Sequence, residues 1–203
     1  MSQIDMWEIE NRHFAEGIRI ICGVDEAGRG PLAGPVCAAA VILPANLDIP
    51  GLTDSKKLSD KRRRELYPVI KEQAIAYGIG FASQEEIDQM NILQATFLAM
   101  QRAMDQLEVK PELALIDGNR QKDFGLPVET VVKGDSLSAS IAAASVLAKV
   151  TRDDVMLAMA EEYPGYGFEI HKGYGTKAHY EALQKLGPCP IHRMTFLKKL
   201  YGG

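Results

Sequence analysis

The sequence has little cysteine and no long apolar run, and each absence excludes a class of protein. Its three cysteines, Cys22, Cys37 and Cys189, form no CxxC pair, and two of them lie in apolar strand-like stretches where small buried thiols are common. This usage indicates a reducing compartment. No apolar run approaches roughly eighteen residues, and the first residues lack the basic start and apolar middle of a signal peptide. We therefore expect a cytoplasmic protein that does not span a membrane.

The charge is modest overall but unevenly distributed. The chain has 203 residues, 46% hydrophobic and 25% charged, which suits one α/β domain or one domain with a small appendage. A net charge of −4 speaks against a nucleic-acid partner, yet residues 171–203 carry six Lys or Arg and one acid, so that tail is +5 and the rest −9. This favours an acidic catalytic body over residues 18–170 beside a basic docking surface, although a merely solvated tail has the same composition.

The most informative stretch is a strand-like run that leads into two acids. Residues 18–24 are largely apolar and rich in isoleucine, which is typical of a buried strand, and Gly-Arg-Gly-Pro at 28–31 stops the pattern. We expect the strand to end at Asp25 and Glu26, which can converge only if the backbone turns at or just after them. Arg29 offers a planar fork suited to a phosphate. An ordinary strand exit with solvated charges is the simpler alternative.

The remaining pattern alternates strands with helices. Further strands are predicted at 35–43, 77–82, 113–116 and 128–132, and helices at 59–76, 83–107, 137–159 and 177–186. The first two strands are expected to pair as a hairpin-like unit. Pro68 predicts a kink in the first helix or a later start. The alanines of the 137–159 helix predict close packing against the sheet.

Four acids stand at comparable positions along the chain. Asp25 and Glu26 follow the first strand, Asp117 follows the 113–116 strand, and Asp135 lies at a strand-to-helix junction. Sites in open α/β sheets gather at strand ends, so we expect convergence, although Asp117 or Asp135 alone is typical of a turn or cap. Hard cations such as Mg²⁺ or Mn²⁺ offset the repulsion of grouped carboxylates, and no Cys or His nearby favours zinc. Two such ions can activate a water and stabilise the leaving oxygen of a phosphodiester.

Several motifs follow one another along the chain, at residues 25–31, 53–58, 116–118, 133–135, 140–153, 171–176 and 192–193. In this order they resemble the signatures of the type 2 ribonuclease H family, over residues 18 to about 196. The resemblance implies a single domain with the ribonuclease H-like α/β fold, a mixed five-stranded sheet flanked by helices, with residues 171–203 as a basic helical C-terminal extension. It also implies that the metal-binding catalytic carboxylates are Asp25, Glu26, Asp117 and Asp135.

The same resemblance implies a substrate-binding element. Gly28, Arg29 and Gly30, with Tyr174, resemble the element that senses a ribonucleotide followed by a deoxyribonucleotide. Backbone groups freed by the glycines can hydrogen-bond a 2′-OH, which separates RNA from DNA, and an aromatic ring can pack on the next sugar. A loop tyrosine that shields the core is the alternative. Lys56 and its neighbouring lysine are candidate phosphate contacts, although lysine pairs in loops are usually solvated.

Two pairs of residues lie in these motifs without a role that the resemblance assigns. Arg152 and Asp153 are adjacent on the predicted long helix, and we expect a structural ion pair rather than a fifth catalytic element. His171 and His192 could contact nucleic acid, with surface or cap roles as the alternative.

The resemblance implies an endoribonuclease that hydrolyses the RNA strand of RNA–DNA hybrids, and single ribonucleotides embedded in duplex DNA, and leaves 5′-phosphate and 3′-hydroxyl ends. The implied cofactor is a divalent metal, Mn²⁺ or Mg²⁺, and we expect a monomer. One rival is a two-metal DNA exonuclease of the same fold, which would cleave all-DNA duplex. The other is a non-catalytic hybrid-binding module, which would bind without turnover in Mn²⁺.

Overall fold

The computed structural model describes residues 5–120 and 122–201, and its centre is a five-stranded mixed sheet. The strands are β1 (Ile21–Ala27), β2 (Val36–Ile42), β3 (Ala76–Ala82), β4 (Leu113–Asp117) and β5 (Val128–Val131). Their order across the sheet is β3-β2-β1-β4-β5. The β1–β2 and β2–β3 pairs are antiparallel, whereas β4 is parallel to both β1 and β5. The predicted mixed sheet and the pairing of its first two strands are confirmed.

Eight helices are present in the described residues: α1 (Glu8–Ala15), α2 (Asp60–Gln73), α3 (Gln84–Met90), α4 (Ile92–Asp105), α5 (Ala139–Glu162), α6 (Phe168–His171), α7 (Lys177–Leu186) and α8 (Lys198–Tyr201). Four of these helices start after a hydroxyl cap, whose oxygen accepts an otherwise unpaired N–H of the first turn. These caps are Ser59, Ser83, Ser138 and Thr176, for α2, α3, α5 and α7 respectively.

Helices cover both faces of the sheet. α4 packs on one face, within a buried cluster that includes Cys22, Val24, Ala40 and Phe97. α5 packs on the other face and α2 packs on α5. The predicted close approach of α5 is confirmed, because its alanines at 139, 142, 143, 144 and 148 are all buried. Gly23 shows how near α5 lies, since a Cβ added there would be 2.1 Å from the backbone carbon of Ser140.

Two of the predicted helices differ in detail. The single helix predicted over 83–107 is two helices, because Asn91 adopts a positive φ of 77° and its side chain caps α4. α2 begins directly after Ser59, so the later start considered for it is wrong, and it runs through Pro68 to Gln73.

The C-terminal residues pack against the loop that joins β1 to β2. Ala33 forms an isolated bridge with His192, Leu32 N–H donates to Gly173 O at 2.8 Å, and Arg193 N–H donates to Leu32 O at 2.8 Å. The predicted extension therefore closes over the loop that follows the first pair of acids. Residues 202 and 203 of that extension, like residues 1–4, lie outside the described residues. Within the described ranges no helix has the length and apolarity needed to cross a bilayer.

Candidate active site

Three of the predicted acids lie at one edge of the sheet, because β1 and β4 run parallel and carry acids at the same level. Val24 pairs with Ile116, so Asp25 and Asp117 occupy the next position on these neighbouring strands. Glu26 is one residue further along β1, and its side chain points to the opposite face of the sheet.

The prediction that the first strand ends at these acids is wrong. β1 continues through Ala27, which still pairs with Cys37 of β2. The turn comes at Gly28, whose φ of +97° lies in the region that favours glycine. Asp25 and Glu26 therefore reach a common site from the two faces of a strand, at the edge of the sheet.

The fourth acid, Asp135, is brought toward the others by a turn directly after β5. It lies on the 3₁₀ turn Gly134–Ser136, which follows Lys133 in a left-handed conformation. Gly134 N–H donates to Asp117 Oδ1 at 2.7 Å. This hydrogen bond fixes the turn to the end of β4.

A cavity of about 230 Å³ opens at this edge of the sheet. The predicted site residues that line it are Asp25, Glu26, Gly28, Arg29, Gly30, Lys56, Asp117 and Tyr174, together with Ser145 and Lys149 of α5. Asp135 lies beside the cavity and contacts one of its lining residues, Lys56, whose Nζ is 3.1 Å from Asp135 Oδ2. A larger cleft of about 410 Å³, lined by residues such as Trp7 and Leu47, contains none of the predicted site residues.

Burial and mutual repulsion shape the electrostatics of the acids. Burial, followed by the charges of Glu26 and Asp117, raises the pKa of Asp25 well above its ordinary value. Burial also raises the pKa of Glu26, against the opposing effect of Arg29, whose Nη1 lies 3.3 Å from Glu26 Oε1. The folded protein therefore holds carboxylates in a place where their negative charge is disfavoured.

Lys56 is the cation that contacts Asp135, although its side chain is 76% exposed. Burial raises the pKa of Asp135, while the hydrogen bond from Lys56 opposes that rise. Asp54 belongs to the same group. Its Oδ1 accepts the Lys56 N–H at 2.8 Å, and this bond, with the nearby charges of Lys56 and Lys57, lowers the pKa of Asp54 against the effect of burial.

The donor chemistry of the cavity fits a hard divalent cation. Its acids are all carboxylates, burial and then neighbouring acids raise the pKa values of Asp25 and Glu26, and a bound cation would stabilise their charged forms. The acids are not drawn together into a three-ligand group, and no such group of His, Cys, Asp or Glu occurs elsewhere in the described residues. The fit therefore rests on the kind and charge of the donors.

The rim of the cavity is formed by the loop of residues 28–35, which we call the glycine–arginine loop, and by Tyr174. The Tyr174 ring is close to Gly30, since a Cβ added at Gly30 would lie 3.6 Å from Tyr174 Cε1. Tyr174 is 43% exposed, so its ring is open to a ligand and does not shield the core.

Two interpretations of individual residues are wrong. Arg152 does not pair with Asp153, because neighbouring helix residues point in different directions; Asp153 instead accepts from Lys149 Nζ at 2.8 Å. His171 and His192 do not reach the surface that a nucleic acid would contact, since both are buried. His192 Nε2 lies 3.0 Å from His179 Nε2, inside the C-terminal fold.

Sequence reasoning assigned no site role to three residues that lie next to the site. Asp54 could have been found, because it lies in the same motif as Lys56. Arg152 and Arg193 are buried and donate to the backbone of the glycine–arginine loop. A long-range contact between an arginine and a carbonyl leaves no spacing pattern in the sequence, so no signal pointed to it.

Solved structures of known proteins share this architecture. The ribonuclease H2 of Pyrococcus horikoshii OT3 matches with a TM-score of 0.72 at 28% identity, covering 87% of this chain and 93% of that one. The RNase HII of Archaeoglobus fulgidus, solved as a complex with PCNA, matches with a TM-score of 0.70 at 27% identity, covering 87% and 94%. The fold and its acidic sheet edge thus define the class of protein, a ribonuclease H-type hydrolase.

Sequence comparison gives the family. The profile described as Ribonuclease HII matches residues 22–199. Ribonuclease HII of Syntrophotalea carbinolica is 56% identical over 187 residues, which is 92% of this chain and 90% of that protein. The chain belongs to the ribonuclease HII family, and the predicted family, fold and enzyme class are confirmed.

Proposed function

We propose that this protein is an endoribonuclease that hydrolyses the RNA strand of RNA–DNA hybrids and cuts at single ribonucleotides embedded in duplex DNA. The observation that carries the proposal is the cavity in which Asp25, Glu26 and Asp117 share a wall with Gly28, Gly30 and Tyr174. Acids suited to phosphodiester hydrolysis thus lie next to groups suited to recognising a sugar. Cytoplasmic location and a monomeric state remain predictions.

Asp25, Glu26, Asp117 and Asp135 are the residues that would hold divalent metal, Mg²⁺ or Mn²⁺. When bound there, such ions would supply an activated water and stabilise the leaving oxygen, and the proposed products are 5′-phosphate and 3′-hydroxyl ends. Gly134 N–H orients Asp117 by its 2.7 Å hydrogen bond. Lys56 offsets the charge of Asp135 at 3.1 Å.

The rim would bind the substrate strand. Arg29 is half exposed and its guanidinium fork suits a phosphate oxygen pair. The exposed Tyr174 ring would pack on the sugar that follows the ribonucleotide and would crowd a second 2′-OH there. Lys56 is close enough to the acids for its ammonium to be shared between Asp135 and a phosphate.

One assay tests the reaction and the site together. Duplex DNA with a single ribonucleotide is incubated with the wild type and with Asp117→Asn, with and without Mg²⁺ or Mn²⁺. We expect metal-dependent cleavage by the wild type and at least about a hundredfold loss of rate in the variant, because a metal-holding carboxylate is removed while the rim is kept. Asp48→Asn, at an exposed aspartate outside the cavity, serves as the control and should cleave normally.

The other outcomes separate the rival functions. Near wild-type turnover of Asp117→Asn in saturating metal would show that the site assignment is wrong. Cleavage of the same duplex without a ribonucleotide would identify a DNA nuclease. Tight binding of hybrid with no turnover in either metal would identify a binding module.

A further inference from the structure

Arg152 and Arg193 are fully buried beside the cavity, at 1% and 0% exposure. The six side-chain hydrogen bonds that they form in the described residues all go to backbone carbonyl oxygens, and none goes to a carboxylate. Burial, and then the neighbouring Arg152 charge, lowers the pKa of Arg193 to about 9. Burying two cations without a carboxylate partner is costly.

Arg193 forms three hydrogen bonds with the glycine–arginine loop. Its Nη2 donates to Gly28 O at 2.6 Å, its Nη1 to Arg29 O at 3.0 Å and its Nε to Gly34 O at 2.9 Å. The planar guanidinium has donors on three nitrogens in a fixed arrangement, so one side chain can hold all three carbonyls at once.

These bonds determine where the N–H groups of the loop point. In a planar trans peptide the C=O and the following N–H point in opposite directions, and the described residues contain no cis peptide. Because Gly28 O and Arg29 O point inward to Arg193, the N–H groups of Arg29 and Gly30 point away from it. Neither N–H donates to another described residue, and both residues line the cavity.

Arg152 connects the same loop to the tyrosine on the other side of the rim. It donates to Ala33 O and Pro35 O of the loop at 3.2 and 3.0 Å, and to Lys172 O at 3.1 Å. Its guanidinium carbon lies 6.0 Å from the centre of the Tyr174 ring, within cation–π range. The two arginines thus hold both halves of the rim in one arrangement.

We propose that Arg193 is a positioning residue for ribonucleotide recognition: by holding the carbonyls of Gly28 and Arg29, it aims the N–H groups of Arg29 and Gly30 at the 2′-OH. This inference rests on the proposed function. A positioning role and a general structural role of Arg193 have different consequences, because the two N–H groups find a hydrogen-bond partner only when a 2′-OH is present. Loss of Arg193 should therefore reduce discrimination between ribose and deoxyribose rather than affinity for duplex.

Binding measured in EDTA, where the metal needed for cleavage is removed, tests the positioning role of Arg193. The wild type and Arg193→Lys are titrated with two duplexes of one sequence, one all-DNA and one with a single ribonucleotide, by fluorescence polarisation. We expect the wild type to prefer the ribonucleotide duplex by about tenfold, the equivalent of one or two modest hydrogen bonds. In Arg193→Lys the preference should fall toward one while the Kd for all-DNA duplex stays unchanged, because one ammonium cannot replace the guanidinium fork.

Leu66→Ala provides the matched control. Leu66 is buried in α2, in a cluster that contains no residue of the glycine–arginine loop, so this variant loses stability without altering the rim. It should keep the full preference at a temperature where it remains folded. If Leu66→Ala loses the preference as Arg193→Lys does, the ratio of the two Kd values reports destabilisation of the fold, and the positioning role is overturned.

The remaining outcomes separate this inference from the proposed function. A wild type without preference for the ribonucleotide duplex would overturn ribonucleotide recognition and the role of Arg193 together. A folded Arg193→Lys that retains the preference would overturn the role of Arg193 alone.

A measurement on the wild type covers the case in which Arg193→Lys does not fold. Amide hydrogen exchange by NMR should show the Arg29 and Gly30 amides exchanging rapidly in the free protein and protected by the ribonucleotide duplex but not by all-DNA duplex. Equal protection by the two duplexes, or slow exchange in the free protein, would contradict the inferred direction of these N–H groups.

Discussion

The Tyr174 ring is held at the rim of the cavity by its backbone and its neighbours. Tyr174 O accepts from Thr176 N at 2.8 Å and from His179 Nδ1 at 2.9 Å. Its hydroxyl donates to no other described residue, and the ring faces the Arg152 guanidinium. The side chain therefore offers a flat surface for packing, and its hydroxyl is not needed to keep it in place.

We predict that Tyr174→Ala lowers cleavage of a lone embedded ribonucleotide by about tenfold, taking for packing on the sugar the lower part of the about 1–3 kcal/mol that stacking on a base contributes. Cleavage of a long RNA–DNA hybrid should fall less, because only the lone ribonucleotide depends on sensing the sugar that follows it. Tyr174→Phe is the matched control and should retain most of the activity. The measurement is the cleavage rate of each variant on both substrates. Equal losses on the two substrates would show that Tyr174 does not sense the sugar that follows the ribonucleotide.

Prediction from the sequence at this scale depended on local motifs. The acids and the glycine–arginine loop could be placed near one another because each lies in a short pattern at a strand end. The pairing of Arg152 with Asp153 was wrong because adjacency along a helix separates side chains instead of joining them. The true partners of Arg193 lie about 160 residues earlier, at Gly28, Arg29 and Gly34, and no periodicity connects such positions.

At the scale of elements, the approach of α5 to β1 depends on one glycine. Gly23 lies on the central strand, and a Cβ there would be 2.1 Å from Ser140 C and 2.2 Å from Ile141 N. Both atoms belong to the α5 backbone and cannot rotate aside. The first turn of α5 is also fixed by Ser138, which accepts the Ile141 N–H, so the helix has little freedom to move away from the acidic edge.

We therefore predict that Gly23→Ala lowers the free energy of unfolding by about 3 kcal/mol or more, at the upper end of what overpacking costs. Urea unfolding measures this difference. Gly30→Ala is the control, because its methyl group would meet only Tyr174 Cε1 at 3.6 Å, an ordinary van der Waals distance. A Gly23→Ala protein as stable as Gly30→Ala would show that α5 can shift along the sheet.

Elements with apolar periodicity were predictable, whereas those set by special backbone positions were not. The bounds of β3 and α7 follow directly from alternation and from the Thr176 cap. The break between α3 and α4 depends on the positive φ of Asn91, which a continuous apolar stripe conceals. α1 is polar, with only Glu10 and His13 buried, so it gives no apolar pattern to recognise.

At the scale of the whole molecule, the C-terminal residues complete the site instead of extending from it. Leu183 and Leu197 are buried with Leu32 of the glycine–arginine loop, and Arg193 is enclosed beneath that loop. Four lysines of the tail, Lys177, Lys185, Lys198 and Lys199, remain exposed. The tail thus combines a buried supporting side with a basic outer side, which the sequence showed only as an excess of positive charge.

Within the tail, the rings of His179 and His192 form a pair that contacts the Tyr174 backbone, and the hydrogen bonds of this pair require both rings to be neutral. His179 Nδ1 donates to Tyr174 O, so its Nε2 carries the lone pair that accepts from His192 Nε2 at 3.0 Å. His192 Nδ1 in turn accepts from Cys189 N–H at 2.9 Å. A proton added to His179 Nε2 would face the N–H of His192 Nε2. A proton added to His192 Nδ1 would face the Cys189 N–H.

This arrangement predicts that the fold loses stability in acid. Burial, and then the nearby His179, lowers the pKa of His192 from 6.5 to about 4, and burial lowers that of His179. Between these values the unfolded chain binds more protons than the folded one, so stability is complete above about pH 6.5 and falls as the pH drops to about 4. For His192 the loss amounts to up to about 3 kcal/mol.

Urea unfolding of the wild type and His192→Gln at pH 7, 6, 5 and 4 measures this effect. We expect the variant to be less stable at pH 7, because the hydrogen bonds of His192 are disturbed, and to lose less stability on acidification. The raised pKa of Asp25 acts in the opposite direction, since an acid that binds its proton more tightly in the folded state stabilises the fold as the pH falls. That contribution is common to both proteins, so the difference between their slopes isolates the histidine. Parallel slopes would show that His192 titrates normally and that its contact with His179 does not depend on a neutral ring.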